Sequence, residues 1–527
     1  MHRSFPCSPD TSALRIAVYS VTDKGEHMNH QEQQVIVVAN RQPYSHDRDA
    51  GGRIAVRRWS SGVVNAVEPL LVACSGVWVA HGGGAGDRAT ALERDGLSVP
   101  PGWAKYRLRR VWLSDEEERG YYDGFSNSAL WPLCHRTYVQ PVFRSDDFNT
   151  YRDVNERFAG AVAEEATSAA PVVLVQDYHF ALAPSMIRKR LPSAAVATFW
   201  HIPWPHWQTF ATCPWRDEIL QGLLGSSVLG FQTPADCFNF VETVDRLLGA
   251  EIDCGEGVIT YQGRRVMVRD YPASIDWPGE WTAGPSIQTC RDVVRKDLRL
   301  DSNVVLGLGV DRLDYTKGIE EKFLMVERLL DRQPDLCGKF VFVELAEPSR
   351  HRLSAYRKAR LRVLQAADRI NRRFADGEYR PILLLEAHHS AATIARYYRA
   401  ADVCVVSSLH DGMNLVSKEF VASRDDERGA LMLSEFAGAA NELDDALIFN
   451  PYHIDQAAAT LMSALQMSRD EQRARMHRLR HTVKRHDARA WASRIVADVL
   501  ETCKAAQAEK SSLSVTRSPS LSYAVRA

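Results

Sequence analysis

The chain has 527 residues, of which 45% are hydrophobic and 25% are charged, ordinary values for a globular protein that exclude wholesale disorder. Lys and Arg number 65 against 66 Asp and Glu, and this net charge of −1 argues against a dedicated nucleic-acid-binding protein. The length by itself allows two large α/β domains or three to four smaller units. Small anionic substrates are not excluded, because a sum over the chain hides local cationic clusters.

The ten cysteines are scattered along the chain and include no CxxC pair. This spacing favours neither a zinc site nor a small disulfide scaffold, and it is typical of a reducing, cytoplasmic location. No apolar run reaches the roughly 20 residues that a membrane-spanning helix needs, so we expect no membrane span. The weak apolar patch at 13–21 contains Arg15 and lacks a clear cleavage site, which predicts that no signal peptide is present.

Between the two ends, short apolar runs alternate with segments of helical spacing such as 319–330 and 391–400. The predicted strands, in chain order, are 35–39, 172–175, 195–199, 228–231, 304–310, 340–345, 382–385, 403–407 and 431–434. Such alternation predicts parallel sheets connected by crossover helices. Two series occur, divided near 271–274, and they predict two doubly wound domains with ligands at the carboxyl ends of the strands.

Standard catalytic signatures are absent from the sequence, which contains no Walker loop, no HExxH and no GxSxG. Gly307-Leu-Gly309 follows a strand but lacks the third glycine of a dinucleotide-binding motif, so a tight strand end is the better interpretation. The glycine-rich stretch 81–86 is, taken alone, more typical of a flexible loop than of a phosphate-binding loop.

Polar residues that follow predicted strands are the most informative feature of the sequence. They are Asp177 and His179, His201, Arg312 and Lys317, and Asp411, Gly412 and Glu419. Free amides at a helix start favour an anion such as a diphosphate, and an acidic residue slightly further on can bind ribose hydroxyls. Each feature also has a structural explanation: a structural histidine, an ion pair with Asp311 or Asp314, or an Asp-Gly turn. Four of them at the strand ends of one alternating pattern favour a shared site.

Seven longer segments carry a resemblance to a known family. They are Val37-Val-Ala-Asn-Arg41-Gln-Pro, Tyr122-Asp-Gly-Phe-Ser-Asn-Ser-Ala-Leu-Trp131-Pro, Gln176-Asp177-Tyr-His179, His201-Ile-Pro-Trp-Pro, Asp311-Arg312-Leu-Asp-Tyr-Thr-Lys317-Gly, Asp411-Gly-Met-Asn-Leu-Val-Ser-Lys-Glu419 and Ser434-Glu-Phe-Ala-Gly-Ala-Ala-Asn-Glu442. From about residue 35 to about residue 497 the chain resembles the trehalose-6-phosphate synthases, retaining glycosyltransferases of the GT-B fold. The resemblance implies two Rossmann-like domains facing a cleft.

The resemblance also implies the reaction: glucose is transferred from UDP-glucose to glucose-6-phosphate, with retention, to give α,α-trehalose-6-phosphate. It implies no metal and no other cofactor, and a front-face path in which the leaving phosphate accepts the acceptor's proton. We therefore expect small-molecule substrates, no nucleic acid and no membrane partner, and a homo-oligomer is compatible with the resemblance.

The matching positions imply a role for each site residue. The donor-binding positions are Gly62, Arg312, Lys317, Asp411, Gly412, Met413, Asn414, Leu415, Val416 and Glu419. The acceptor-binding positions are Arg41, Tyr122, Trp131, Asp177 and Arg350. The positions expected to act in catalysis are Asp177, His201, Arg312, Lys317 and Asp411.

One departure leaves alternatives open. The family often has a second Trp in a Trp-x-Gly-Trp segment, where this chain has Trp78-Val-Ala-His81. A glucosylglycerol-phosphate synthase, which would use glycerol-3-phosphate and ADP- or UDP-glucose, is therefore an alternative. Two others are a catalytically silent sugar-phosphate sensor and an enzyme that couples a cyclitol amine.

The expected domain organisation has five parts. Residues 1–34 are predicted to be a disordered extension, in which Met28 is an alternative start. An acceptor-binding domain is expected at 35–273 and a nucleotide-sugar-binding domain at 274–487. A helix at 488–505 is expected to cross back to the first domain, followed by a disordered tail at 506–527.

Overall fold

A computed structural model of the protein describes residues 34–49, 51–59 and 62–515. The predicted extension before residue 34 and the tail after residue 515 lie outside these ranges. Two sheets dominate the fold. Among the described residues, no helix is both long enough and apolar enough to cross a membrane.

The first sheet has ten strands in the order β10-β11-β12-β9-β8-β7-β1-β4-β6-β5. The strands are β1 Val35–Ala39, β4 Val77–His81, β5 Gly96–Val99, β6 Tyr106–Val111, β7 Val172–Gln176, β8 Ala195–Phe199, β9 Val228–Phe231, β10 Glu251–Asp253, β11 Val258–Tyr261 and β12 Arg264–Asp270. All pairs from β12 to β6 are parallel, and antiparallel strands close both edges. A separate hairpin pairs β2 (Tyr44–Arg48) with β3 (Ile54–Arg58).

Helices cover both faces of the first sheet. Those within its part of the chain are Gly62–Cys74, Asp87–Thr90, Asp115–Glu118, the π-helix Arg119–Leu130, Trp131–Cys134, Ser145–Glu165, Ala183–Arg190, Trp207–Phe210, Arg216–Leu223 and Pro234–Leu248, with 3₁₀ turns at Glu93–Asp95 and Tyr178–Phe180. Two apolar clusters lie on opposite faces, because the side chains of a strand alternate between its two sides. Ile36 and Val38 belong to one cluster and Val35 and Val37 to the other.

The second sheet has six parallel strands in the order β15-β14-β13-β16-β17-β18. They are β13 Val305–Arg312, β14 Phe340–Glu347, β15 Ile382–Glu386, β16 Val403–Val406, β17 Ala430–Ser434 and β18 Leu447–Phe449. Its helices are Ile287–Leu298, Ile319–Arg332, Ser354–Arg373, Ala391–Ala400, Leu415–Ser423, Ile454–Gln466 and Arg469–Arg485, with 3₁₀ turns at Pro334–Leu336 and Gly438–Asn441. This order, which reverses direction beside β13, is the doubly wound pattern that the alternation predicts.

All nine predicted strands are present. The strands absent from the prediction are β2–β6, β10–β12 and β18, most of which are short or rich in charged residues. Tyr106–Val111, for example, has three arginines among six residues, so its apolar alternation is weak. β4 is an exception, because Val77–His81 is an apolar run as long as β1 and was not recognised.

The last helix, Ala488–Val515, packs on the first sheet. Trp491 Nε1 donates to the carbonyl oxygen of Tyr271 at 3.1 Å, and the Tyr271 hydroxyl donates to Asp498 at 2.5 Å. The helix thus returns to the first half of the chain. It continues ten residues past the predicted boundary at 505, because segment 504–510 is rich in strong helix formers. The predicted disorder therefore differs from the structure over 506–515.

Candidate active site

The carboxyl ends of both parallel sheets face one cavity of about 420 Å³. This is the place where doubly wound sheets bind ligands. Except for Gly62, every residue predicted for the site lines this cavity: Arg41, Tyr122, Trp131, Asp177, His201, Arg312, Lys317, Arg350, Asp411, Gly412, Met413, Asn414, Leu415, Val416 and Glu419. Gly62 begins the helix Gly62–Cys74, which contributes Val64 to the lining.

The loop after β13 presents two of the cations. Arg312 is the last residue of β13, and Lys317 stands just before the helix Ile319–Arg332. Between Lys317 and the helix, Gly318 has a φ of +63°, and a Cβ there would lie 2.2 Å from the Ser407 carbonyl oxygen. Only glycine fits this turn, so the sequence itself fixes where Lys317 stands.

Asp411 lies opposite Lys317, and its Oδ2 is 2.5 Å from the Lys317 ammonium. The same oxygen accepts from Ser408 Oγ at 3.2 Å and from Asn414 Nδ2 at 3.3 Å. Burial by itself raises the pKa of Asp411, but Lys317 above all, together with His135 and Asn414, outweighs it and lowers the pKa to about 2. Asp411 is therefore a carboxylate at neutral pH, with one oxygen already engaged by three donors.

The segment after Asp411 joins the two halves of the cavity. A Cβ on Gly412 would lie 2.3 Å from the carbonyl oxygen of His201, which belongs to the first half. The Asn414 side chain accepts from the Ser417 amide at 3.1 Å and caps the helix Leu415–Ser423. The amides at this helix start can attract an anion, because they have no partner within the helix.

Glu419 lies one turn into that helix and lines the same cavity. Its Oε2 accepts from the Tyr398 hydroxyl at 2.9 Å. Burial raises the pKa of Glu419 to about 7, and the bond from Tyr398 opposes this shift. A fixed carboxyl of this kind can accept hydrogen bonds from vicinal hydroxyls.

Asp177 follows β7 with a φ of +77°, a strained geometry for a residue other than glycine. Its Oδ1 accepts from the amides of Tyr178 at 2.9 Å and His201 at 3.2 Å, which hold the carboxyl at the end of the sheet. Burial raises the pKa of Asp177 to about 7, against the opposing effect of these amides and of nearby arginines.

His201 follows β8, the neighbouring strand. Its Nε2 lies 2.9 Å from Oε1 of Gln176, so the ring is held in one orientation. Burial lowers the pKa of His201 to about 3, and the imidazole is therefore neutral at physiological pH.

Trp131 brings two cations from the second half of the chain together. The guanidinium carbon of Arg350 lies 4.2 Å from the Trp131 ring centre, and that of Arg312 lies 5.7 Å from it. Arg350 also donates to the Tyr178 hydroxyl at 3.2 Å and to Asp314 at 3.4 Å. From the sequence, Asp314 is a candidate ion-pair partner of Arg312 or Lys317. In the structure, Asp314 pairs with Arg350 instead.

Tyr122 shows how strong the positive potential is in this part of the cavity. Burial raises the pKa of its phenol, yet Arg350, Arg41 and Arg312 outweigh burial, and the net shift is downward. Tyr122 stands on the π-helix Arg119–Leu130, which the sequence pattern did not predict. Ser126 O accepts from the Trp131 amide five residues on, a bond pattern that often marks functional sites.

Several cavity residues were not assigned from the sequence: Asn40, Trp78, His135, Gln176, Tyr178, His179, Ile202, Gln232, Ala273, Ser274 and Trp491. Gln176 and His179 belong to the segment Gln176-Asp177-Tyr-His179, which follows the predicted strand 172–175, and this position was the available signal. Trp491 comes from the last helix, and only the tertiary fold brings it here. His81, the departure from the family pattern, hydrogen-bonds the Val111 carbonyl at 3.2 Å and is not among the lining residues.

Two motifs that suggested chemistry have structural roles. Asp311 and Glu344 both pair with the buried Lys322, at 2.7 and 2.8 Å. A Cβ on Gly309 would collide with Glu344 Oε2, so Gly309 makes room for this ion cluster. A Cβ on Gly307 would meet the Phe342 ring instead. In the stretch 81–86, the Gly84 amide donates to the buried Asp87 at 2.7 Å, and no ligand is needed to explain that loop.

Within 34–49, 51–59 and 62–515, no group of three or more His, Cys, Asp or Glu side chains is placed to hold a metal ion. The cations of the cavity come instead from arginine and lysine side chains.

Known proteins resemble this chain over most of its length. Residues 33–501 match the sequence model of glycosyltransferase family 20. The chain is 37% identical over 477 residues to the trehalose-6-phosphate synthase of Mycobacterium sp. (strain KMS), covering 89% of this chain and 95% of that protein. The protein of Mycolicibacterium vanbaalenii with the same name is 37% identical over 476 residues, covering 87% of this chain and 94% of its own length.

Solved structures give the same result. The α,α-trehalose 6-phosphate synthase from Burkholderia multivorans superposes with a TM-score of 0.81 at 30% identity, over 91% of this chain and 99% of that chain. The E. coli trehalose-6-phosphate enzyme bound with UDP-2-fluoro glucose has a TM-score of 0.79 at 30% identity, over 88% and 98%. The Burkholderia xenovorans enzyme in complex with glucose-6-phosphate has a TM-score of 0.78 at 29% identity, over 89% and 100%.

Proposed function

The chain belongs to glycosyltransferase family 20, and from that premise we propose that it transfers glucose from UDP-glucose to glucose-6-phosphate, forming α,α-trehalose-6-phosphate and UDP. The observation that carries this proposal is that Arg312 and Arg350 lie over the same Trp131 ring. Two guanidinium groups thus lie within 5.7 Å of the centre of one ring. This arrangement supports two substrates that both carry phosphate and whose reacting ends meet near Trp131.

The donor subsite is proposed to lie in the second half of the chain. Arg312, Lys317 and the amides at the start of the helix Leu415–Ser423 would bind the diphosphate, and Glu419 the ribose. Fixed cations and amides stabilise the negative charge that grows on a departing diphosphate without having to reorganise. The E. coli relative that binds UDP-2-fluoro glucose supports a UDP-sugar as donor.

The acceptor subsite is proposed to lie in the first half of the chain and at Arg350. Arg41, Tyr122 and Arg350 would bind the phosphate, because the lowered pKa of Tyr122 reflects the positive potential that a dianion needs. Asp177 would bind a hydroxyl of the acceptor ring. The Burkholderia xenovorans relative in complex with glucose-6-phosphate supports this acceptor over glycerol-3-phosphate.

Retention is proposed to follow a front-face path. The bond from the anomeric carbon to the leaving phosphate oxygen breaks, the acceptor oxygen bonds to the same face, and its proton passes to the leaving phosphate. Asp411 is a poor nucleophile for a covalent intermediate, since three donors already engage its Oδ2. His201, neutral and held by Gln176, would bind a hydroxyl of the donor glucose.

The reaction is proposed to need no metal, because Arg312 and Lys317 can balance the diphosphate charge. We place the protein in the cytoplasm, as the scattered cysteines suggest. Its substrates are small molecules. The domain boundaries at 273 and 487 remain predictions; the first lies between β12 and β13 and the second follows the helix Arg469–Arg485.

The test is a competition assay with UDP-glucose and equal concentrations of glucose-6-phosphate and glycerol-3-phosphate. Consumption of glucose-6-phosphate alone, with release of UDP, is the expected result. Consumption of glycerol-3-phosphate would favour the glucosylglycerol-phosphate alternative, and release of no UDP would favour a silent sensor.

A further inference from the structure

His179 lines the cavity without any hydrogen-bond partner for either ring nitrogen. The residue is only 8% exposed. A buried donor or acceptor without a partner costs about 1–3 kcal/mol, and native structures rarely leave two on one ring unless a ligand or an ordered water supplies the partners.

The ring is held firmly in this unpartnered position. Its backbone lies in the 3₁₀ turn Tyr178–Phe180, and its carbonyl oxygen accepts from Asn155 at 3.1 Å. Its face lies parallel to the Tyr122 ring, with 5.6 Å between the ring centres and 6° between the planes. The site is therefore preorganised, so that little side-chain entropy of the protein is lost when a ligand binds here.

The surroundings of His179 identify the chemistry of that ligand. Its Nδ1 lies 3.8 Å from Oδ2 of Asp177, the carboxylate oxygen that the backbone amides leave open. Burial, with Arg350 and Arg41 nearby, lowers the pKa of His179, so the ring is a neutral imidazole with one donor and one acceptor. A hydroxyl group, which both donates and accepts, can bond either nitrogen of such a ring, whereas an ionised phosphate can accept only from the nitrogen that carries the proton.

We propose that His179 binds a ring hydroxyl of the acceptor sugar, adjacent to the hydroxyl that Asp177 binds. This inference rests on the proposed function and adds a specificity-determining residue to it. An acceptor that is bound by its phosphate must therefore present one hydroxyl to Asp177 and a neighbouring hydroxyl to His179. A hexose phosphate supplies several spare hydroxyls and glycerol-3-phosphate a single one, so His179 favours the hexose.

The proposal is tested with His179→Phe, which keeps the ring stacked on Tyr122 and removes both nitrogens. The expected result is a rise of about tenfold in KM for glucose-6-phosphate, the effect of one average hydrogen bond, with KM for UDP-glucose unchanged. His179→Gln, which retains a polar group, should recover part of this loss. The matched control is His481→Phe at an exposed position on the helix Arg469–Arg485, which should leave both KM values unchanged.

Monodeoxy analogues of glucose-6-phosphate separate a binding role from a structural one. In the wild type, the analogues that lack the hydroxyls bound by Asp177 and by His179 should both bind more weakly than glucose-6-phosphate, the latter about tenfold. In His179→Phe, the analogue without the His179-bound hydroxyl should bind no more weakly than glucose-6-phosphate, whereas the loss for the other analogue should remain. Binding is read by calorimetry in the presence of UDP, so that it does not depend on turnover. Thermal melting of the ligand-free variant should be unchanged or raised, because an unpartnered ring has been replaced by an apolar one.

An unchanged KM and affinity for glucose-6-phosphate in folded His179→Phe would overturn the proposal. So would equal losses for every deoxy analogue in the wild type and the variant, or a lowered melting temperature with no change specific to one hydroxyl. If the wild type binds glucose-6-phosphate but forms no product, the proposed function fails while the calorimetry still decides the role of His179.

Discussion

The ammonium of Lys317 lies 2.5 Å from Oδ2 of Asp411, and both side chains line the cavity between the sheets. The two residues stand 94 positions apart in the chain and come from loops after β13 and β16. In the absence of a donor substrate each charge is therefore balanced by the other. A diphosphate entering beside Lys317 would meet a lysine whose position is already fixed.

Lys317→Ala should lower kcat/KM for UDP-glucose by at least about a hundredfold. The substitution removes a cation from the leaving group and leaves Asp411 without its main partner in a buried place, which is costly. The double variant Lys317→Ala/Asp411→Asn should lose less activity than the sum of the losses in the two single variants, expressed as free energies, because the residues act as a pair. Additive losses in steady-state kinetics would contradict the coupling.

Arg312→Ala should nearly abolish turnover while the protein remains folded. Losing a charge-assisted contact to the departing phosphate costs on the order of 3 kcal/mol, or about a hundredfold in kcat. The measurement is kcat at saturating concentrations of both substrates, with the melting temperature as the control for folding. A kcat near that of the wild type would remove Arg312 from the leaving-group site.

Arg350→Ala should act chiefly on the acceptor. Its guanidinium lies over Trp131 beside Tyr178, so its loss should raise KM for glucose-6-phosphate about tenfold or more and change KM for UDP-glucose little. Arg350→Lys should recover the charge but not the stacked, planar geometry. An unchanged KM for glucose-6-phosphate would put the phosphate elsewhere.

Asp177 should give the acceptor affinity a pH dependence. Its pKa is raised to about 7, so the ligand-free protein gains the carboxylate as pH rises through 7, and a carboxylate accepts a sugar hydroxyl best. Affinity for glucose-6-phosphate should therefore rise between pH 6 and 8, beyond the effect of the phosphate's own ionisation near pH 6. Asp177→Asn should remove the step at pH 7; a retained step would assign it to another group.

The same residue should affect stability in the opposite sense. A folded pKa above the unfolded value means that the native state binds more protons between about pH 4 and pH 7, so stability falls as pH rises through this window. Asp177→Asn should flatten that part of the profile in urea unfolding measured without ligand. An equal decline in wild type and variant would show that Asp177 does not cause it.

Gly412→Ala should lower activity, although it adds a single methyl group. The added Cβ would lie 2.3 Å from the His201 carbonyl, so the two halves of the cavity would have to move apart. Both KM values should rise, because the loop after Asp411 and the end of β8 would both shift. Gly160→Ala, at a glycine that likewise has no positive φ but has open space around its Cβ, is the matched control and should leave both KM values unchanged. Wild-type kinetics in Gly412→Ala would contradict the close approach.

The sequence predicts most of the second sheet, the central parallel strands β1 and β7–β9 of the first sheet and the strand-end residues, because these depend on local patterns. Buried parallel strands such as β13 and β14 are apolar runs, and the chemistry of such sheets gathers where these runs end. Arg350 differs, since nothing near it in sequence indicates that it lies over Trp131. The unpartnered ring of His179 is likewise a property of packing, which no periodicity records. The π-helix that presents Tyr122 has no simple apolar period either.

The most direct test is identification of the product formed from UDP-glucose and glucose-6-phosphate by the wild type, in the presence of EDTA, by nuclear magnetic resonance. We expect a phosphorylated disaccharide with both anomeric carbons in the α configuration, and one UDP released for each disaccharide formed. A β linkage, a glycerol-linked product, or complete loss of activity that added metal restores would contradict it.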